Sequence, residues 1–211
     1  MASVILTARS ALFGEATPGR YGARRGGPPE VKLAVRTGLA LAVIAARKGK
    51  ASQAADAVAA FAHVRPLDRP SLVAKDGVVL IGCAPGQWLA VAEGSRAAGF
   101  VAKIAQALAP IASVTDHTSA KTVVRISGTR ARDVLAKGCP IDLHPRAFQP
   151  GDAATTRMAQ IGCTIWQVDG APTYELAINS SVARSFWSWL TASAAEYGYE
   201  VSPAAPPPKS T

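Results

Sequence analysis

Cysteine is too scarce and too irregularly placed to hold this chain together. The 3 present, Cys83, Cys139 and Cys163, are odd in number and form no C-x-x-C pair. A disulfide framework and a zinc site of the usual spacing are therefore excluded, and a reducing, cytoplasmic setting is the expectation. Aromatics are also sparse at 6%, although 49% of the chain is apolar, so the core must be built from many small Ala and Val side chains. Acidic residues are short too: 14 Asp and Glu stand against 23 Lys and Arg, for a net charge of +9. Such a balance favours an acidic partner, but the basic residues are scattered instead of forming a dense arm, and no nucleic acid is expected. Long apolar runs are missing as well. The stretch without Asp, Glu, Lys or Arg from Gly77 to Ala92 is broken by Pro85, Gly86 and Gln87, so no membrane span is expected, and Met1–Ser10 lacks the leading basic region of a signal peptide.

Nor does the chain carry a phosphate cradle. Its glycines never make G-x-G-x-x-G or a P-loop, and Gly82, Gly86 and Gly170 read as turn residues. A carboxylate lies near an imidazole at Asp116-His117 and at Asp142-Leu143-His144. Each pair could work as a general base dyad or simply order a turn. His63 reads as a helix C-terminal cation.

What is present is a regular order of elements. Residues 1–30, rich in Gly, Pro and Arg, read as an extended arm. Val31–Arg36 alternates, Leu39–Ala46 is a continuous apolar strand, and residues 51–63 form an Ala-rich helix with Ala54, Val58 and Phe61 at helical spacing. Gly77–Ile81 and Gln87–Val91 make a hairpin, followed by a helix carrying Val101, Ile104, Ala105 and Leu108 that stops at Pro110. The first half thus reads β-α-β-β-α.

The second half repeats that order. Thr122–Ser127 is a strand, Thr129 is placed to cap a helix over 129–137, and Thr155–Val168 is one long strand. Asp169-Gly170 turns the chain into Pro172–Asn179, which puts Glu175 on the face opposite Tyr174 and Leu176. A last helix over 181–197 carries Val182, Phe186, Trp189 and Tyr197 along one stripe. Ile81-Gly82-Cys83 and Ile161-Gly162-Cys163 fall at similar places in the two halves. The expected fold is α+β, with duplicated β-α-β-β-α units over 31–112 and 113–200 forming a single domain, and a flexible tail over 201–211.

The segment Ser127–Phe148, above all Gly138-Cys-Pro-Ile-Asp-Leu143, resembles the signature region of the gamma subunit of heterotetrameric sarcosine oxidase. Pro85-Gly-Gln-Trp-Leu-Ala90, Thr155–Trp166, Tyr174-Glu-Leu176 and Phe186-Trp-Ser-Trp-Leu190 resemble the same family in the same order, over roughly residues 8–200. The resemblance implies a fold like the folate-binding domain of glycine cleavage aminomethyltransferases. It also implies alpha, beta and delta partner subunits that hold FAD, FMN, NAD, tetrahydrofolate and zinc, while the gamma subunit holds no cofactor and has no catalytic residue. The implied complex demethylates sarcosine to glycine with flavins, oxygen and tetrahydrofolate. Related complexes acting on other N-methylated amines share the module.

Two readings from other classes compete. A free-standing folate-dependent aminomethyltransferase would need a working carboxylate, for which Asp116 and Asp142 are the candidates. An RNA-binding module would need aromatics on exposed central strands, which Leu39–Ala46 and Thr122–Ser127 lack. On the scaffold reading, the arm Gly14–Glu30 and the loop Cys139–Phe148 should meet the partners. Arg20, Arg24, Arg25, Asp142, His144, Arg146 and Trp187 are the expected contact residues, because the arginine fork orients carboxylates as well as attracting them.

Overall fold

β-Branched and small apolar residues dominate the long segments between turns, and they form strands wherever both neighbours can pair with them. The computed structural model describes residues 10–23 and 27–203. In chain order the elements are β1 (Gly19–Tyr21), β2 (Val31–Arg36), β3 (Ala40–Ala46), α1 (Ala51–Ala62), β4 (Leu72–Lys75), β5 (Val78–Ala84), β6 (Gln87–Ala92) and α2 (Phe100–Leu108). There follow β7 (Ala112–Asp116), β8 (Lys121–Ser127), α3 (Ala131–Ala136), β9 (Ala153–Met158), β10 (Ile161–Asp169), β11 (Thr173–Asn179), α4 (Ala183–Ala194) and β12 (Tyr199–Val201).

The strands form a seven-stranded sheet, β1-β12-β2-β8-β11-β10-β9, and a five-stranded sheet, β4-β5-β6-β3-β7. All pairings are antiparallel except β12 with β2. One face of the larger sheet packs on α3 and α4 through Val124, Ile126, Leu176, Phe186 and Leu190. One face of the smaller packs on α1 and α2 through Ile44, Leu80, Trp88, Val58 and Ile104. The remaining faces meet each other through Leu41, Ile81, Leu89, Val91, Val123, Trp166 and Ala177. The fold is α+β, with two sheets back to back and helices on both outer sides.

The duplication is present, with one more strand per unit than the sequence suggests: β3-α1-β4-β5-β6-α2 matches β8-α3-β9-β10-β11-α4. β4 escapes notice because its four residues, Leu-Val-Ala-Lys, carry too little pattern. The expected single strand over 155–168 is split by a tight turn at Ala159 and Gln160, both at positive φ (48° and 67°) and neither a glycine. β2 belongs to the second unit's sheet, where it pairs with β8. The two Ile-Gly-Cys triplets are out of step, since Val78, which follows the β4–β5 turn opposite Lys75, corresponds to Ile161, which follows the β9–β10 turn opposite Met158. Their recurrence is coincidence; the order of elements is the repeat.

Local chemistry differs from expectation at three points. Thr129 does not cap α3; the Ala131 N–H donates to the Gly128 carbonyl instead, at 3.0 Å. Gly82 is not in the turn but inside β5, where a Cβ would stand 2.0 Å from the Arg69 carbonyl oxygen. On α4 the buried stripe is Ala183, Phe186, Trp187, Leu190 and Ala194, so Val182 is exposed and Trp189 only flanks the core, with its ring 5.5 Å from Phe186.

The described part of the arm lies on the chain's own body. Leu12 is 2% exposed in the main core, and β1 pairs with β12. Val201 ends β12 as a buried residue.

Candidate functional site

The loop from Cys139 to Phe148 is fixed by its apolar members and displays its polar ones. Leu143 and Phe148 are buried, the latter with its ring 6.3 Å from that of Tyr174, whereas Asp142, His144 and Arg146 are exposed. Asp142 Oδ1 accepts the His144 backbone N–H at 2.8 Å, and His144 Nδ1 accepts the Arg146 N–H at 3.2 Å. The carboxylate and the imidazole thus order consecutive turns instead of bonding each other as a dyad. At the other Asp-His pair, Asp116 Oδ1 accepts the Thr118 N–H at 2.8 Å. The hydrogen bonds from Thr118, side chain first and then backbone, hold the Asp116 carboxyl below its usual range. His117 Nδ1 is buried without a hydrogen-bond partner.

The other expected contact residues are dispersed. Arg20 is 3.4 Å from Glu200 across β1 and β12 and stays largely exposed. Arg24 and Arg25 lie outside the described residues. Trp187 is 5% exposed within the main core, so its ring packs inside this chain and offers little surface to another.

A charged cluster between the sheets had no local signal in the sequence. Glu175, 5% exposed on β11, accepts two bonds from Arg125 on β8, from Nε at 2.9 Å and from Nη2 at 2.6 Å, both at Oε1. Trp166 Nε1 donates to Oε2 at 3.2 Å. Arg36 at the end of β2 sets its Nε 2.9 Å from Oε1 as an ion pair without hydrogen-bond alignment, and its Nη2 pairs with Glu93, just past β6 of the other sheet. Alternation places Glu175 on the face opposite Leu176; only the stacking of the second sheet turns that face into interior.

Where the two sheets part, a cleft of about 1140 Å³ opens between residues 10–18, the β2–β3 turn and the β7–β8 turn. Leu12, Val35, Leu41 and Val123 line its floor, and Thr37, Thr118, Ser180 and Ser202 are among its polar lining. Phe13, 63% exposed, stands beside it. Neither Asp116 nor Asp142 lines this space, so the carboxylates that a transferase would need are not in the cleft. No group of three His, Cys, Asp or Glu placed to hold a metal is found among the described residues. β3 and β8 are largely buried in the sandwich and offer no open platform for stacking bases.

All three cysteines are free. Burial pushes the Cys163 thiol from 9.0 up to about 12, with Cys139 nearby adding to the rise. At pH 8 the thiolate at Cys163 should therefore be about a thousandfold scarcer than in the unfolded chain. Iodoacetamide followed by peptide mass analysis should find the partly buried Cys83 alkylated in the native protein and Cys163 alkylated only in denaturant. Equal rates at the two sites would show that the β10 face is open to solvent.

The "Sarcosine oxidase, gamma subunit family" model matches residues 48–196. Sarcosine oxidase subunit gamma of Corynebacterium sp. (strain P-1) is 32% identical over 127 residues, covering 59% of this chain and 61% of the relative. The Arthrobacter sp. protein of the same name is 36% identical over 104 residues, 49% of this chain and 50% of the relative. The chain thus spans about half to three-fifths of the length of these curated relatives. Among solved structures, a chain of the heterotetrameric sarcosine oxidase from Corynebacterium sp. U-96, in complex with pyrrole 2-carboxylate, superposes with a TM-score of 0.76 at 26% identity, covering 90% of this chain and 96% of that one. Aminomethyltransferase T of the glycine cleavage system from Bartonella henselae, at 14% identity and a TM-score of 0.56, covers 80% of this chain and 49% of that one and shows a shared fold. With the family model matching well over half of its length, the chain belongs to the sarcosine oxidase gamma subunit family.

Proposed function

We propose that this chain is the gamma subunit of a heterotetrameric sarcosine oxidase and serves as a structural subunit in it, with the flavins, NAD, tetrahydrofolate and zinc held by the alpha, beta and delta subunits. The observation that carries the reading is the superposition on one chain of the Corynebacterium complex, which takes in nearly all of both chains. The site geometry supports a structural role. The aspartates nearest to histidines are engaged in turns, and the one deeply buried carboxylate among the described residues, Glu175, is occupied by two arginines and an indole. No helix among the described residues is long and apolar enough to cross a membrane; the proposed setting is the cytoplasm.

Co-expression with the other three subunits should yield a coloured complex that turns over sarcosine, whereas this chain purified alone should be colourless and inactive. Flavin absorbance or sarcosine turnover in the isolated chain would sink the structural reading.

The exposed polar members of the 139–148 loop are the proposed contacts. Asp142→Ala with Arg146→Ala should weaken assembly by about 2–5 kcal/mol if these charges become desolvated against a partner. Leu143 and Phe148 still anchor the loop in that variant, so the unfolding midpoint of the free chain should barely move. Recovery of partners at unchanged salt resistance would remove the loop from the interface.

A further inference from the structure

Among the described residues the two sheets have four edge strands, and three carry a basic side chain: Arg20 in β1, Lys75 in β4 and Arg157 in β9. A lysine or arginine on an edge discourages another strand from adding to it. β7, Ala-Ser-Val-Thr-Asp, carries none. The bonds His117 N–H to Leu41 O at 2.8 Å and Arg47 N–H to Ile111 O at 3.0 Å bracket its ladder with β3. Antiparallel pairing alternates, so residues 113 and 115 bond β3, while the backbone N–H and C=O groups of Ala112, Val114 and Asp116 face the open side.

The sister sheet shows what such an edge can hold. There β2 lies antiparallel beside β8 as β7 lies beside β3, and β12 runs parallel to β2 on its outer side, with Tyr199 opposite Val31 and Val201 opposite Leu33. Among the described residues no strand follows beyond β7. The flanking surface is prepared for one. Ala112 and Val114 face the α2 core, and Ser113 and Thr115 are exposed on the other side.

We propose that the outer edge of β7 accepts an extended, proline-free segment of another subunit, running parallel to β7 as β12 runs beside β2. The segment would place apolar side chains next to Val114 on the α2 side, and small or hydroxylated ones next to Ser113 and Thr115. Main-chain hydrogen bonds to the groups of 112, 114 and 116 supply the binding, and the alternating side-chain neighbours on the two faces supply the selectivity. This inference rests on the reading of the chain as a subunit of a larger complex.

The test is Val114→Pro in the co-expressed complex, with hydrogen exchange on the wild-type chain, free and assembled. The Val114 N–H points away from β3, so the ring leaves that ladder intact, and edge strands tolerate proline in this orientation. The free variant should keep its circular dichroism and unfolding midpoint, and its recovery of partner subunits should fall about tenfold or more, a lost hydrogen bond and a steric block acting together. The wild-type amides of Val114 and Asp116 should exchange slowly in the complex and fast in the free chain. Full recovery of partners by the variant, or unchanged exchange at both amides on assembly, overturns the docking edge while the subunit reading stands. If the wild-type chain itself recovers no partner, both fall. Protection that develops in the free chain as its concentration rises would assign the edge to a second copy and overturn the proposal. The exchange measurement decides the matter even if the proline variant fails to fold.

Discussion

Replacing Glu175 with alanine should lower the unfolding free energy of the chain by about 3 kcal/mol, the lower end of the range for breaking a buried ion pair. The low end applies because the two guanidinium groups keep some water: the side chains of Arg36 and Arg125 are 24% and 35% exposed. The loss is still large, since Trp166 Nε1 would be left without its acceptor in the inter-sheet core, and Arg125 would lose two hydrogen bonds. Glu175→Gln should cost less, because the amide oxygen can still accept from Trp166. Adding Arg125→Ala to Glu175→Ala should cost less than the sum of the single changes, as expected for contacting residues. Urea unfolding of the wild type, the three single variants and the double variant measures all of this. A loss below about 1 kcal/mol in Glu175→Ala would mean that the cluster is solvated and does not join the sheets.

Trp88→Ala is the second large effect, at about 4 kcal/mol, within the range for emptying a buried tryptophan site. Trp88 is 1% exposed and packs among Ile44, Leu80, Phe100 and Ile104 beneath α1 and α2. Its Nε1–H also donates to the Leu67 carbonyl at 2.9 Å. That bond helps to hold the segment between α1 and β4, where the Gly86 N–H donates to Asp68 Oδ1. Trp88→Phe separates the two contributions by keeping most of the volume and losing the bond; it should cost about 1–2 kcal/mol and speed proteolytic cutting near Leu67. Equal losses for the Ala and Phe changes would show that the bond, not the packing, is what the tryptophan contributes. Because a continuous core joins the two sheets through Trp166, Leu89 and Val123, unfolding should follow a single transition in both series.

The segments legible in the sequence are those whose own residues decide their conformation. β2 and β11 alternate larger apolar with smaller or polar residues, β8 is rich in β-branched ones, α1 and α2 carry their buried residues at helical spacing, and the β10–β11 turn at Asp169-Gly170 has the residues that it needs, with Asp169 Oδ1 accepting the Ala171 N–H at 2.9 Å. β1, β4, β7, β12 and the break between β9 and β10 are not legible. β4 and β7 are short, and the β9–β10 turn uses Ala159 and Gln160 where a glycine or asparagine would have signalled it. On α4 the aromatic spacing points to one side of the buried face, which also uses Ala183 and Ala194. Of the candidate contact residues, Asp142, His144 and Arg146 are exposed on one loop anchored by Leu143 and Phe148. Trp187 is 5% exposed in the main core, and helical spacing alone does not separate a core ring from a displayed one.

By itself the sequence determined the α+β class and the doubling of the strand-and-helix order, short of one strand per unit, and it offered a turn as one of two readings of Asp142 and His144, since each depends on residues within a few positions of one another. Tertiary structure alone decided that β2 crosses to the second unit's sheet, that Gly82 sits against the Arg69 carbonyl and that Glu175 is buried. Each of these depends on which surfaces meet. A charged residue on the outer face of a strand is solvated beside water and needs partners beside a second sheet, and nothing in the strand's own pattern says which neighbour it will have.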